Sequence, residues 1–167
     1  MLGRAIDQIL PHPGDPKLFE GYLHSAEDYV RLAERSNGPI PRGVDLDYVW
    51  GDAGAVLAGA KVDYGIVNLE TAITDKGTPE PKGINYRMNP RNAAWLKRLG
   101  IDCCVLANNH VLDWGEVGLN QTLDTLRELT MATAGAGRNT TEAAAPAVLG
   151  GANGRVLVFA FSARDSG

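Results

Sequence analysis

The stretch Ile101-Asp-Cys-Cys-Val-Leu-Ala-Asn-Asn-His-Val-Leu-Asp113 joins an apolar run to a cluster of polar side chains. The run 101–107 is short and apolar, which is typical of a buried strand in a parallel sheet. A helical repeat follows over 115–129, with leucines at positions 119, 123 and 126. A buried strand followed by an amphipathic helix is the repeating unit of an α/β sheet. The stretch therefore predicts an α/β fold with polar residues at the carboxyl end of a strand.

The rest of the chain repeats this alternation of strand and helix. The run Val62–Glu70 predicts a buried strand, and Pro90 opens a helix that Gly100 ends. The other predicted elements are a helix after Ser25, an amphipathic helix over 46–60 against the core, strands over 131–134 and 156–161, and a helical turn over 141–145. We therefore expect a mainly parallel sheet flanked by helices, with aromatic residues such as Phe159 in the core.

Charge and composition narrow the classes of function. The 167 residues include 16 Lys and Arg against 20 Asp and Glu, a net charge of -4, so no basic surface favours nucleic acid as a partner. The apolar run Val156–Phe161 is far shorter than the ~20 residues of a membrane-spanning helix. Cys103 and Cys104 are adjacent within an apolar run, which predicts buried thiols rather than a mutual disulfide. Residues 1–7 lack the pattern of a secretory signal, so the sequence leaves localisation open.

Two clusters of polar residues follow neighbouring predicted strands. Asn68-Leu-Glu70-Thr ends one strand, and Asn108-Asn-His110 with Asp113 follows the next. The carboxyl ends of parallel strands form the ligand crevice of α/β sheets, so these side chains are expected to converge. Carboxylate, amide oxygen and imidazole together suit divalent ions such as Mn²⁺, Zn²⁺, Fe²⁺ or Mg²⁺. A two-metal centre that handles phosphate is one interpretation.

Each of these residues also has a purely structural interpretation. Glu70 could be a solvated carboxylate, and Asn108 with Asn109 could form a turn, since Asn tolerates left-handed backbone. His110 could cap the next helix, although an Asn-His pair directly after a buried strand favours function. Asp113 could orient His110 as a supporting carboxylate, or place negative charge at the start of a helix.

A glycine-rich turn, Gly135-Ala-Gly-Arg-Asn139, lies between a predicted strand and a predicted helical turn. Backbone N–H groups of such a turn can bind an anion, and Arg138 is a candidate contact to substrate. The third glycine of the dinucleotide fingerprint is replaced by Thr140. A simple tight turn is therefore favoured over nucleotide binding.

These motifs resemble, in order and over essentially the whole chain, those of the CapA family of poly-γ-glutamate (capsule) biosynthesis proteins. The matching segments are Met1-Leu-Gly-Arg4, Asp7–Pro13, Asn68–Thr71, Leu106–Glu116 and Ala134–Asn139. The resemblance implies a layered αββα sandwich like that of the calcineurin-like metallophosphoesterases, with a two-metal crevice at the strand ends. The family is bacterial, and the resemblance implies a protein that is at the cell surface or associated with a membrane.

The same resemblance implies roles for individual residues. Glu70 would be the metal-bridging carboxylate and Asn109 a second metal ligand. His110 would stabilise or protonate the leaving group as the catalytic acid. Asp113 is a further catalytic candidate from its position alone, as the carboxylate that orients His110. Asn68 and Asn108 would be supporting residues.

The family pattern extends beyond this chain at both ends. A Gly-Asp pair precedes the Met-Leu-Gly-Arg segment in the family, and its Asp would be a metal ligand, while further histidine motifs follow. We therefore expect residues 1–167 to be one incomplete domain. Three functions remain open: a component of poly-γ-glutamate synthesis or export that works with synthase components or the polymer, a stand-alone two-metal phosphoesterase acting on a small phosphate ester, and a non-catalytic scaffold. Whether the chain is an enzyme is left undecided.

Overall fold

A computed structural model describes residues 2–151 and 154–163 of the protein. The helices are α1 (Ala5–Ile9), α2 (Ala26–Asn37), α3 (Ala53–Gly59), α4 (Ala94–Arg98), α5 (Gly115–Glu128) and α6 (Thr140–Ala144). The strands are β1 (Gly65–Asn68), β2 (Ala72–Ile73), β3 (Arg87–Met88), β4 (Ile101–Val105), β5 (Ala132–Ala134), β6 (Ala147–Gly151) and β7 (Gly154–Val158). Short 3-10 turns cover Tyr48–Trp50 and Pro90–Asn92. The predicted α/β fold is confirmed.

The apolar run quoted first forms the central strand of the main sheet. The strand order is β1-β4-β5, and both pairings are parallel, with Asn68 opposite Val105 and Cys103 opposite Ala132. Helix α5 presents its three leucines to the core, as their spacing predicts. The sheet therefore brings the carboxyl ends of β1 and β4 side by side.

The two faces of β4 contact different apolar clusters. Cys104 packs with Leu96 of α4 and Leu126 of α5 on one face. Cys103 packs on the other face with Ala147 and Leu149, which belong to the antiparallel pair β6 and β7. The layers are thus helices, parallel sheet and hairpin. Both thiols are fully buried and free, which confirms the prediction made from the sequence.

A small second sheet lies between the predicted strand Val62–Glu70 and the predicted helix that Pro90 opens, where the sequence predicts no strand. Strands β2 and β3 pair in parallel, with Ala72 opposite Arg87 and Ile73 opposite Met88. The N–H of Ile73 donates to the hydroxyl of Thr122 on α5 at 2.9 Å, which fixes this pair against the helix. The segment between the two strands, residues 74–86, is called the β2–β3 loop below. It returns the chain to the ends of β1 and β4.

The helix expected over 46–60 is wrong in extent and in burial. Gly51 has a φ of +54°, and it separates the turn Tyr48–Trp50 from helix α3. Trp50 packs against the core, whereas Val56 on α3 is 65% exposed. The reason is that α3 consists mainly of Ala and Gly, which offer little apolar area to bury. The final strand ends at Val158, and Phe159 is 54% exposed, so its expected place in the core is also wrong.

Candidate functional site

The two polar clusters meet at the adjacent ends of β1 and β4. The Asn108 side-chain amide donates to Asn68 Oδ1 and to the carbonyl of Leu69, both at 3.1 Å. The carbonyl of Val105 accepts the N–H of Leu69 at 3.0 Å, which continues the strand pairing into the loops. Asn108 therefore joins the two strand ends, and the predicted convergence of the clusters is present in the structure.

His110 and Asp113 form a buried hydrogen-bonded pair directly after this junction. The N–H of His110 donates to Asn108 Oδ1 at 3.0 Å, and its ring Nδ1 lies 2.7 Å from Asp113 Oδ2. The side chains are 7% and 0% exposed. Because a carboxylate only accepts hydrogen bonds, Nδ1 carries the proton in this pair and Nε2 is left for other partners. Nε2 lies 3.3 Å from Asn109 Nδ2 and 3.9 Å from Glu70 Oε1.

The β2–β3 loop surrounds Asp113 with donors. The N–H of Tyr86 donates to Asp113 Oδ2 at 2.5 Å, and Lys82 Nζ lies 2.8 Å from Oδ1. The carbonyl of Asp113 accepts the N–H of Glu80 at 2.9 Å and the amide of Asn85 at 3.3 Å. A buried carboxylate is stable only when it is paired and hydrogen-bonded. This loop meets both requirements.

Tyr86 and Lys82 are the site residues that the sequence does not reveal. The Tyr86 ring stacks on the His110 imidazole with centroids 3.8 Å apart and planes 23° apart. Lys82 Nζ donates to the carbonyl of Asn109 at 2.6 Å. Both belong to a segment without a recognisable motif. The β-prone Tyr86, directly before β3, is the one local signal that could have indicated a strand here.

An open cavity of about 350 Å³ borders the site. Its walls include Lys82, Asn109 and Asp113. A small ligand in this cavity would contact Lys82 and Asn109, whereas His110 is not among the residues that line it.

The donors at the strand ends make an incomplete set for a two-metal centre. The Glu70 side chain is 42% exposed and accepts from the Asn68 amide at 3.3 Å. His110 Nδ1 is committed to Asp113, so Glu70, Asn109 and His110 Nε2 are left as the acceptors on the open side. Within residues 2–151 and 154–163, no group of three or more His, Cys, Asp or Glu side chains is arranged to hold a metal ion. The metal-ligand roles of Glu70 and Asn109 stay predictions.

Arg138 lies apart from this cluster. Its guanidinium donates to Asp124 of α5 at 2.6 Å, and its N–H donates to Glu142 at 2.9 Å. Asn139 caps α6 by accepting the N–H of Glu142 at 2.9 Å. In the part of the chain that the structure describes, no hydrogen bond or ion pair joins Arg138 to the His110 cluster. Its predicted contact to substrate stays a prediction.

The fold and the site define a class of protein: an α/β domain with a buried His–Asp pair, two asparagines and a glutamate at the ends of neighbouring parallel strands. The family model described as "Bacterial capsule synthesis protein PGA_cap" matches residues 1–167. The chain belongs to that family, which confirms the CapA resemblance. Among the described helices, none has the length and apolar character that a membrane crossing requires.

Curated relatives agree with this assignment. The chain is 46% identical over 169 residues to proteins named "Probable polyglutamine synthesis accessory protein" from two strains of Mycobacterium tuberculosis, CDC 1551 and H37Rv. The match covers all of this chain and 44% of each relative. An uncharacterised protein of Sinorhizobium fredii is 36% identical over 110 residues, which cover 62% of this chain and 23% of that protein. The chain thus spans less than half the length of its mycobacterial relatives.

Proposed function

We propose that this domain belongs to an accessory protein in the synthesis or export of poly-γ-glutamate or a related glutamate polymer, and that it works beside a membrane-bound synthase. The observation that carries the proposal is the match of the family model to residues 1–167. The 46% identity to relatives named as accessory proteins of polyglutamine synthesis supports it. The candidate working site is the His110–Asp113 pair and the cavity beside it.

The charges near the site favour contact with synthase components over tight binding of the polymer itself. A polyanionic chain would need unpaired cations. Lys82 is paired with Asp113, Arg87 with Asp15 and Arg138 with Asp124. These pairs already neutralise part of the positive charge that a second carboxylate would need. An accessory role at the synthase needs no such free charge.

A chimera tests the proposal. A chimera of the relative, in which this chain replaces the matching segment, is expressed in a mycobacterial strain that lacks the relative, and the glutamate polymer of the cells is measured after acid hydrolysis. We expect the chimera to restore the polymer and His110→Ala to abolish the restoration. His24→Ala is the matched control, because His24 is exposed and lies outside the site. Equal polymer from the chimera and its His110→Ala variant would refute a role for the site.

A metal-dependent phosphoesterase activity is the second candidate. The buried hydrogen bond between His110 and Asp113, with Glu70 at 3.9 Å from Nε2, favours it. Such a pair can hold and deliver a proton. The residues described supply part of a ligand set, so we assign no chemical step to a metal.

Metal content tests this candidate directly. The purified chain is loaded with Mn²⁺ or Zn²⁺ beside Glu70→Ala, with Glu128→Ala as the control, since Glu128 is an exposed carboxylate at the end of α5. Bound metal that is lost only in Glu70→Ala would support a centre at the strand ends. Equal metal in all three proteins would exclude Glu70 as a ligand. No bound metal in a folded chain would mean that the ligands expected outside residues 1–167 are indispensable, or that the domain is a scaffold.

A further inference from the structure

We propose that Tyr86 is a positioning residue of the candidate site, which sets both the plane of the His110 imidazole and the orientation of the Asp113 carboxylate. The inference rests on the proposal that the His110–Asp113 pair is the working part of the domain. It concerns a residue that no motif of the chain indicates.

The ring of Tyr86 restrains the imidazole of His110 by direct contact. A hydrogen bond from Nδ1 to Asp113 restrains rotation about the His110 Cβ–Cγ bond, but a contact at one ring atom tolerates some rotation of the ring plane. The Tyr86 ring lies against the imidazole face, with centroids 3.8 Å apart and an angle of 23° between the planes. This contact opposes the remaining rotation. Nε2 is then held on the side of Asn109 and Glu70, where a ligand would meet it.

The backbone of Tyr86 restrains Asp113 as well. The N–H of Tyr86 donates at 2.5 Å to Asp113 Oδ2, the oxygen that also faces His110 Nδ1. Placing two donors on one oxygen fixes its position relative to both. Tyr86 therefore holds His110 with its ring and Asp113 with its main chain. In a site of this kind, errors of a fraction of an ångström matter.

Tyr86 is itself held firmly. Its carbonyl accepts the indole N–H of Trp114 at 3.2 Å and the N–H of Ala72 at 3.3 Å. The guanidinium of Arg4 lies over its ring, 5.1 Å from the centroid, and Arg4 is fixed in turn by the buried carboxylate of Glu20. A positioning group must be more rigid than the group it positions, and these contacts supply that rigidity.

The hydroxyl of Tyr86 provides a sharp control. Among the residues that the structure describes, no hydrogen bond to this hydroxyl is present, whereas the ring and the main chain make all the contacts given above. Tyr86→Phe keeps the ring and should therefore leave the positions of His110 and Asp113 unchanged. Tyr86→Leu removes the aromatic plane and keeps the backbone, so it isolates the effect of the ring.

The test is side-chain NMR of the free chain at one fixed pH. The chain has three histidines, and His12→Gln and His24→Gln variants assign the remaining imidazole signals to His110. In the wild-type chain we expect nuclear Overhauser effects between the Tyr86 and His110 rings, and upfield-shifted His110 carbon-bound protons. We also expect a slowly exchanging proton on Nδ1. Tyr86→Phe should reproduce all three signals, whereas Tyr86→Leu should lose the upfield shift and broaden the Nδ1 proton.

Thermal unfolding of each variant separates loss of position from loss of fold. A folded Tyr86→Leu protein that keeps a sharp, slowly exchanging Nδ1 proton would overturn the proposal, because Asp113 alone would then suffice to hold the imidazole. If Tyr86→Leu fails to fold, the spectra of the wild-type chain and of Tyr86→Phe still test whether the two rings are in contact. The absence of Overhauser effects between the two rings in these proteins would overturn the proposal as well.

The chimera links this position to function. Tyr86→Phe should make as much polymer as the unmodified chimera, and Tyr86→Leu should fall toward the level of His110→Ala. Wild-type polymer from Tyr86→Leu would overturn the proposal. If the proposed function is wrong, the chimera and its His110→Ala variant should instead make equal amounts of polymer. The NMR experiment uses neither polymer nor metal, so its outcome does not depend on that result.

Discussion

His110 Nδ1 and Asp113 Oδ2 lie 2.7 Å apart across a single turn of chain, and both side chains are almost fully buried. The two residues follow the central strand of the sheet, so the apolar run that builds the core also delivers the polar pair to its edge. Burial makes this hydrogen bond strong, and it makes each partner costly to lose.

Asp113→Asn should destabilise the chain more than other Asp→Asn changes. The side chain accepts from His110 and Tyr86 and pairs with Lys82, and an amide in its place would set an N–H₂ group against one of these donors. Breaking a buried pair by changing one partner costs about 3–5 kcal/mol. We expect a loss of about 3 kcal/mol in the free energy of unfolding, measured by urea denaturation. Asp63→Asn, at an exposed position, should stay within about 0.5 kcal/mol, and equal losses in the two variants would contradict the prediction.

Lys82→Met tests the cation on the same carboxylate. The Lys82 side chain is 25% exposed, and its ammonium lies 2.8 Å from Asp113 Oδ1 and donates to the carbonyl of Asn109 at 2.6 Å. Hydrogen bonds to charged groups are worth about 1.5–3 kcal/mol, so we expect a loss of about 2 kcal/mol in denaturation experiments. Lys97→Met, on the exposed face of α4, is the control. A Lys82→Met protein as stable as this control would show that the ion pair contributes nothing net.

Gly77 allows the β2–β3 loop to approach Trp114. A Cβ at this position would lie 2.1 Å from the Trp114 carbonyl oxygen, and φ is +86°. Left-handed backbone costs a side chain about 1–2 kcal/mol, and overpacking adds about 1–3 kcal/mol. Gly77→Ala should therefore lose about 2–5 kcal/mol of unfolding free energy. Gly43→Ala has a similar φ of +63° and open space around it, so the difference between the two variants measures the clash alone. No difference would show that the loop moves aside without cost.

The stability of the chain should fall in alkaline solution through Cys104. Burial raises the pKa of this thiol from 9.0 to about 12. The unfolded chain then loses the proton at a lower pH than the folded chain, so stability is fully present below about pH 9 and declines up to about pH 12. The slope is at most about 1.4 kcal/mol per pH unit. Urea denaturation at pH 8 and pH 10 (about one unit to either side of the unfolded pKa) should show a smaller decline in Cys104→Ala than in the wild type, and identical declines would refute the assignment.

The sequence predicts the central architecture well because local periodicity determines it. The strands β1, β4 and β5 and helix α5 all lie where apolar runs and the leucine spacing indicate, and His110 reaches Asp113 within one turn of chain. Each of these features depends on residues that are neighbours in sequence. The periodicity of one sequence is therefore sufficient to predict such features.

The features that the sequence does not predict depend on contacts between residues that are distant in the chain. Strands β2 and β3 have two residues each, which is too short for an alternating pattern to be visible. Tyr86 and Lys82 each reach a partner that is 27 residues further along the chain. For helix α3 the prediction is wrong in the opposite direction. Its apolar spacing indicates a buried face, but its small side chains leave that face exposed. Tertiary packing decides all of these positions.

The burial of Cys103 and Cys104 on opposite faces of one strand has a practical consequence. These are the two cysteines of the chain, and both are closed off from solvent, so a maleimide reagent should leave the folded protein unlabelled. A cysteine introduced at Gly83, an exposed position of the β2–β3 loop, would therefore carry a single spin label or fluorophore. Distances measured from that label to a second probe on α5 would then follow the loop around Asp113 in solution, without prior removal of the native thiols.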